Sequence, residues 1–457
     1  RWYDQASWYL SLPESDSVSV SVLEAMANPR EIGSYVLCAV QDPKAPNLLF
    51  LGADDGLYFS INSGGNWQKW TADDFPSVNV MDMKIHPRDG DLVLGTFGRA
   101  LCVMDDLEPL REIARSSGKV LEAPFRIFQP KDAILASYRS VDGPRFQASD
   151  IWQGENMSAN AHFALWLKPE KKAEKIAEKK KEDLPKTNEK DDKSTKKEEK
   201  SAKKGEKDEK DKASIVFVSM SGDTVRTLKW QLDTGLTRHG WGLESKGVRF
   251  PSKEEPKPDA DEPHGPSVLP GTYKVVAAFK NWKDSTTIVV KPDPRTPETA
   301  AQREAKLAAQ RDFSKTIDRA AKAYARLRDM EKSIKFVEDS WANVPDSLKK
   351  DLLKSAGGLK DSILVLKKRF MSQAVEPKGI QPDADDILGN LYETNDRIGE
   401  AQGQPGENVQ NLRRHTEAQV DEAVQKINIF IEKDFQEWRK KAENVPIPLF
   451  REIKKVE

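Results

Sequence analysis

The sequence predicts a multidomain protein in which a β-rich part precedes an α-helical part. Three observations support this fold class. The chain has 457 residues, enough for two to four domains. Short apolar runs separated by turn sequences fill the chain up to about residue 294. From residue 295 onward the apolar residues recur every three or four positions instead, which is the helical period.

Composition limits the partners that the chain can attract. Charged residues make up 32% and hydrophobic ones 37%, and the 73 basic and 74 acidic residues give a net charge of −1. A balanced charge gives no general attraction to nucleic acid, so we expect no nucleic-acid partner. No run of eighteen apolar residues occurs, and we therefore predict no transmembrane segment.

Residues 1–120 carry short β-type runs, among them YVLCAV, LLFLGA, GLYFS, NVMDMKI and ALCVM. Turn sequences such as DDG, SGGN and PRDGD separate them. Strands recurring every eight to twelve residues with such turns predict an antiparallel β domain. The two cysteines, Cys38 and Cys102, lie in these runs. A disulfide between them is possible, but two buried free thiols are the simpler interpretation.

Residues 121–294 are again strand-like, with predicted strands at 162–167, 214–220, 224–230, 271–279 and 285–290. Residues 169–213 interrupt them with a segment composed almost entirely of Lys, Glu and Asp. So few apolar residues cannot offset the entropy lost on ordering, so this segment is either a flexible insertion in a hairpin loop or a fraying helix. Its mixed charges favour a solvated spacer over a binding tail.

Residues 295–457 predict a helical bundle or long helical hairpins. Thr296, followed by Pro297 and Glu298, is the expected N-cap of the first helix, and Pro345 precedes the second. A third, shorter helix and a long last one follow. Their apolar stripes are narrow enough to bury against one another. The stripes are Phe313, Ile317, Ala320, Tyr324, Leu327, Ile334 and Trp341; Leu348, Leu352, Leu359, Ile363, Leu366 and Phe370; Leu388, Leu391 and Ile398; and Leu412, Val420, Val424, Ile427, Ile431, Phe435 and Trp438.

One turn sequence is more specific than the others. The residues Ser60, Asn62, Gly64 and Trp67 fit the pattern S-x-[D/N]-x-G-x-x-W, known as the Asp-box. The Ser hydroxyl and the Asn side chain bond backbone groups of the turn, Gly64 takes a conformation closed to other residues, and Trp67 packs at the start of the next strand. The box marks an architecture and not a catalytic site.

A second motif follows the box. Residues Gly95, Thr96, Gly98, Arg99, Asp105, Asp106, Pro109 and Leu110 match the closing run of bacterial sortilin-like β-propellers with BNR/Asp-box repeats, which the chain therefore resembles. Phe97 stands where His is usual, and Cys102 where an aromatic residue is usual. The runs GENMSANAHFALWLK, GDTVRTL, GLTRHGWGL, LPGTYKV and VKPDPR resemble the immunoglobulin-like domain that follows the propeller in this family.

The resemblance implies three domains: the final propeller blades at 1–120, an immunoglobulin-like β-sandwich at 121–294 and a helical bundle at 295–457. Only one or two blades' worth of propeller sequence is present and the chain starts at Arg1 without Met, so we expect a fragment of a longer protein. The family also implies an exported protein of the bacterial cell envelope, in the periplasm or at the cell surface.

No catalytic, cofactor or metal site is predicted. The five histidines (His86, His162, His239, His264 and His415) have no metal-ligand spacing, and no nucleophile or phosphate-binding motif occurs. Turn chemistry explains the acid pairs Asp54-Asp55 and Asp105-Asp106. We therefore expect a non-enzymatic scaffold that binds a protein or peptide. The alternative is a glycoside hydrolase of the sialidase type whose active site lies in blades outside this chain, because the Asp-box also occurs in such enzymes.

Overall fold

A computed structural model describes residues 34–70, 75–136, 158–169, 212–341, 344–371 and 386–446. The chain divides into two compact units. The first contains the residues up to Glu244 together with Pro270–Thr296, and the second contains Ser245–Leu269 and the residues from Pro297 onward. The protein is thus a mixed β and α structure with several sheets, as its sequence predicts at this coarse level.

The described residues form seventeen strands, and ten of these overlap the runs that the sequence predicts as strands. In chain order they are β1 (Val36–Gln41), β2 (Leu49–Ala53), β3 (Gly56–Ser60), β4 (Gln68–Lys69), β5 (Asn79–Ile85), β6 (Leu92–Phe97), β7 (Leu101–Met104), β8 (Phe125–Ile127), β9 (Ala133–Leu135), β10 (Ala161–Leu167), β11 (Lys212–Ser219), β12 (Thr224–Gln231), β13 (Gly235–Trp241), β14 (Glu244–Lys246), β15 (His264–Ser267), β16 (Gly271–Phe279) and β17 (Trp282–Pro292).

The first unit begins with two antiparallel meanders. Strands β1 to β4 form a four-stranded sheet in sequential order, and β5 to β7 form a three-stranded sheet in the same manner. The two sheets pack closely at their first strands. The Cys38 thiol donates to the carbonyl of Val80 at 3.4 Å, and a Cβ added to Gly52 would lie 2.7 Å from that carbonyl. Only glycine allows this approach between the sheets.

Two further sheets complete the first unit. One has three antiparallel strands in the order β13-β10-β8, and the other has five in the order β12-β11-β16-β17-β9, of which only β9 pairs in parallel. Aromatic rings fill the space between them. The rings of Phe217 and Trp241 stack with centroids 4.1 Å apart, and Phe163 contacts both Phe217 and Trp230 edge-on or tilted.

A short helix and a 3₁₀ turn link the meanders to these sheets. The helix α1 spans Glu108–Arg115, and the 3₁₀ turn spans Lys119–Glu122. The indole of Trp166 on β10 donates to the carbonyl of Leu121 at 3.1 Å and is buried in the same hydrophobic cluster as the meander residues. The three-stranded sheet β13-β10-β8 thus packs partly in the same core as the meanders.

The second unit is mainly helical. Its helices are α2 (Ala300–Ser340), α3 (Asp346–Phe370), α4 (Ile387–Glu400) and α5 (Glu407–Phe430), and a π-helical turn (Ile431–Phe435) continues α5 into α6 (Gln436–Glu443). The predicted N-cap at Thr296 is wrong. Thr299 caps α2 instead, because its hydroxyl accepts from the backbone N–H of Gln302 and the Gln302 side chain returns to the N–H of Thr299.

Most residues of the predicted apolar stripes form the helical core, but Leu348, Leu388 and Leu412 do not belong to it. Ile317, Leu327, Ile363 and Val420 are among the residues that are fully buried. Leu348, however, is half exposed on the first turn of α3, so its assignment to the stripe is wrong. A buried polar contact crosses the core where the hydroxyls of Thr394 and Thr416 lie 2.9 Å apart.

Some sequence predictions concern residues that the structure does not describe. Residues 170–211 of the predicted insertion lie outside the described residues, and its last two residues belong to β11, which begins at Lys212. The three-domain division stays a prediction. Cys38 and Cys102 are both free thiols. Among the helices of the described residues, none combines the length and the apolar character that crossing a membrane requires.

Candidate functional site

The turn between β3 and β4 is held by two side chains. The buried hydroxyl of Ser60 accepts from the backbone N–H of Gly64 at 2.9 Å and donates to the side-chain oxygen of Asn62 at 2.9 Å. That oxygen also accepts from the N–H of Asn66 at 2.9 Å. Ser60 and Asn62 therefore replace the ladder bonds that the backbone loses in the turn.

The other two residues of this pattern meet inside the same turn. Gly64 has φ +87°, which a side chain would strain. An added Cβ there would lie 3.4 Å from Cζ2 of Trp67, so the indole covers the glycine directly. The arrangement shapes a turn and presents no nucleophile or acid–base pair.

Four of the predicted motif residues lie at the end of β6 and in the turn that follows it. Gly95 and Thr96 are near the end of β6, and the N–H and hydroxyl of Thr96 both donate to the carbonyl of Ala100 in the turn, at 2.9 and 3.0 Å. Gly98 has φ +107° and Arg99 is exposed at the tip. The motif residues here close a tight turn.

The backbone of Asp106, shortly after β7, forms hydrogen bonds with two other residues. Its N–H donates to a carboxylate oxygen of Asp91 at 2.8 Å, and its carbonyl accepts from the guanidinium of Arg238 at 2.7 Å. Lys131 donates to Asp91 at 2.7 Å. Asp105 is 1% exposed, and among the described residues neither of its carboxylate oxygens has a hydrogen-bond partner. The two acids thus differ in environment although they are adjacent.

A buried ion pair next to this motif was not predicted from the sequence. The guanidinium of Arg111 on α1 donates to the carboxylate of Asp42 at 2.9 Å and to that of Glu108 at 2.7 Å. The other oxygen of Asp42 accepts from the backbone N–H groups of Lys44 and Ala45. Burial would lower the pKa of Arg111, but its bonds to Asp42 and Glu108 outweigh this effect and raise the pKa above its ordinary value.

No signal in the sequence connects these two groups. Asp42 belongs to an Asp-Pro turn and Arg111 to a helix, and 69 residues separate them. The arginine fork holds α1 against the loop after β1, which makes its role structural.

Exposed apolar side chains lie on strands of the two meanders. β1 and β5 are each the terminal strand of their sheet. Val36 and Leu37 on β1 and Met81 on β5 are exposed, and so are Phe97 and Leu101 beside the β6–β7 turn. Large apolar residues in such a group are typical of surfaces that other polypeptides cover.

The histidines occupy structural environments. The ring nitrogen Nδ1 of His86 accepts from the N–H of Asp89 at 3.1 Å. The ring of His239 stacks on Trp230 with centroids 5.1 Å apart, and burial lowers its pKa. Within the described residues no group of three or more His, Cys, Asp or Glu side chains has the geometry to hold a metal ion.

Comparison with known proteins gives little further guidance. No family model and no curated protein matches the chain. Among solved structures, the extracellular domain of a putative one-component system from B. thetaiotaomicron is similar over 57% of this chain, with 11% sequence identity and a TM-score of 0.13. The matched region covers a quarter of the length of that structure.

Proposed function

We propose that this chain is the C-terminal part of an exported, sortilin-like scaffold of the bacterial cell envelope that binds a protein or peptide. In this proposal the two meanders are its last propeller blades, the next two sheets an immunoglobulin-like sandwich, and the helices a bracing bundle. The competing proposal is a glycoside hydrolase. Its catalytic groups would lie in propeller blades outside this chain.

One observation carries the propeller assignment. The turn with Ser60, Asn62, Gly64 and Trp67 joins the third and fourth strands of a four-stranded meander. The first strand of that meander packs against the first strand of the next, where the Cys38 thiol donates to the carbonyl of Val80, and Gly52 on β2 approaches the same carbonyl. Consecutive meanders that pack face to face through their first strands are the arrangement of propeller blades.

The binding role rests on the exposed apolar edge. Leu37 and Met81 lie on two terminal strands of adjacent sheets, and their side chains are 41% and 51% exposed. A terminal strand offers unpaired backbone groups to an incoming chain, and nearby apolar residues add contact area. A polypeptide ligand uses both features, whereas a sugar needs polar groups that converge.

The experiment is a quantitative pull-down from bacterial envelope extract with the wild-type chain and a Leu37→Asp/Met81→Asp variant as baits. Val365→Asp, at an exposed apolar position of α3, is the matched control. We expect a stoichiometric protein that the wild type and the control retain and that the double variant loses about tenfold. In parallel, the complete gene product that contains this chain is screened on a glycan panel with detection of released sugar, which tests the hydrolase. Released sugar, or equal retention by all three baits, contradicts the proposal.

A further inference from the structure

The segment Ser245–Leu269, which we call the strap, lies between strands of the first unit in sequence but packs within the second unit. Val248 and Phe250 pack against the helical core, and Pro251 is buried. The chain therefore leaves the sheets, contacts the helices and returns to the sheets before the helices begin in sequence.

An aromatic contact holds the start of the strap. The rings of Phe250 and Tyr392 on α4 stack with centroids 4.2 Å apart and an interplanar angle of 10°. Tyr392 keeps 48% of its surface exposed despite this contact. Phe250 packs against the helical core but is only half-buried, so it is held less firmly than a phenylalanine inside the core.

Charged residues of α2 hold the next part of the strap. Arg328 donates to the carbonyl of Ser252 at 3.1 Å and to that of Glu254 at 2.7 Å. Lys332, one turn further along α2, forms an ion pair with the carboxylate of Glu255. Arg328 thus contacts backbone carbonyls that any extended peptide offers, while Tyr392 and Lys332 select an aromatic and an acidic side chain.

The two arms of the strap also bond to each other, because β14 pairs with β15 and the N–H of Gly247 donates to the carbonyl of Pro263 at 2.9 Å. The tip between these arms is solvent-exposed. Every residue from 252 to 261 is exposed. Segments with few buried apolar contacts open locally at low free-energy cost, and the ion pair to Lys332 is screened by salt. The surface formed by Arg328, Lys332 and Tyr392, which we call the seat, is then free while the helical core stays folded.

We propose that the seat is a peptide-binding site that the strap occupies in the closed state. Its ligand is an extended segment with an aromatic residue and, five positions later, an acidic one. A second chain segment of that pattern takes the seat when the strap lifts, and the strap competes with it at a high effective concentration because it is part of the same chain. This inference concerns the helical unit and stands independently of the proposed function.

The test uses the full chain and a fluorescent peptide of the strap sequence 247–256. Phe250→Ala weakens the strap but leaves the seat intact, so this variant is expected to bind the peptide about tenfold tighter than the wild type. Adding Tyr392→Ala to Phe250→Ala removes the binding. Phe336→Ala removes an exposed aromatic side chain of α2 that is not part of the seat. This control variant is expected to bind the peptide as the wild type does.

Hydrogen exchange of the same variants shows whether the strap lifts. Phe250→Ala is expected to speed exchange in residues 245–269 without changing β16 and β17, which form a different sheet. A variant with a released strap that still binds no peptide overturns the proposal. So does peptide binding that Tyr392→Ala leaves unchanged, and so does a strap whose exchange is unaffected by Phe250→Ala.

Discussion

The guanidinium of Arg111 lies 2.7 Å from the carboxylate of Asp42, and both side chains are almost completely buried. Removing one member of such a pair leaves a buried charge without its counter-ion, which typically costs about 3–5 kcal/mol. We expect Arg111→Met to lower the free energy of unfolding of the first unit by this amount in denaturant titrations. Arg88→Ala breaks an exposed pair with Asp89 and should cost less than about 1 kcal/mol. Equal losses in the two variants would contradict the structural role of Arg111.

The glycine in the β3–β4 turn is a second point of sensitivity. Gly64→Ala places a side chain in the left-handed region and against the indole of Trp67, so we expect a loss of about 1–2 kcal/mol in the free energy of unfolding. The matched control is Gly358→Ala inside α3, where nothing lies within 4 Å of the added Cβ. That change should stabilise the helical unit by about 0.5–1 kcal/mol. Thermal unfolding followed by circular dichroism measures both, and a stabilising Gly64→Ala would refute the turn geometry.

The hydroxyl of Tyr58 is expected to ionise only at strongly alkaline pH. Burial and the hydrogen bond that its hydroxyl donates to Asp55 raise the pKa of Tyr58 to about 12. A raised pKa contributes stability that is fully present below pH 10 and is lost as the pH rises through about 12. The tyrosinate absorbance of the folded wild type should therefore show a last step near pH 12 that Tyr58→Phe removes. A titration identical in both proteins would contradict this environment.

From the environment of His239 we predict that the stability of the first unit depends on pH below neutrality. Burial lowers its pKa below the ordinary value of 6.5, so the folded protein binds this proton less readily than the unfolded chain. The stability contribution of the neutral ring is present above pH 6.5 and declines as the pH falls below it. We expect His239→Gln to flatten the loss of stability of the first unit between pH 7 and pH 5. His415→Gln, at an exposed position of α5, is the control for removing a histidine outside the first unit.

The sequence predicted those parts of the fold whose information is local. Alternating residues in β16 and the three–four spacing along α2 predicted their type, because each has one buried face. The predicted cap of α2 is misplaced because Thr296 precedes Pro297, and proline is common at the first position of a helix. The capping-box pattern Thr299-x-x-Gln302 is also present in the sequence and marks the true start.

Long-range contacts between polar groups could not be predicted in this way. The pair Asp42–Arg111 joins a turn to a helix, and the strap is rich in proline and charge without any period. Pairing of side chains 69 residues apart depends on how the elements pack. An aspartate or an arginine in a sequence does not indicate which residue will be its partner. The pattern of the four residues of the β3–β4 turn can be read from the sequence because the bonds between them are local.

The position of the strap in the chain also bears on folding during synthesis. Its carbonyl contacts with Arg328 span 76 and 74 residues, so the strap leaves the ribosome well before α2 exists to receive it. During that interval β16 and β17 are made and can pair with the strands already present. Before α2 is made, the strap can pair only its own arms, β14 and β15, while the strands that precede and follow it in sequence form another sheet. During that interval the prolines and adjacent glutamates of the strap disfavour its pairing with the edge of another strand.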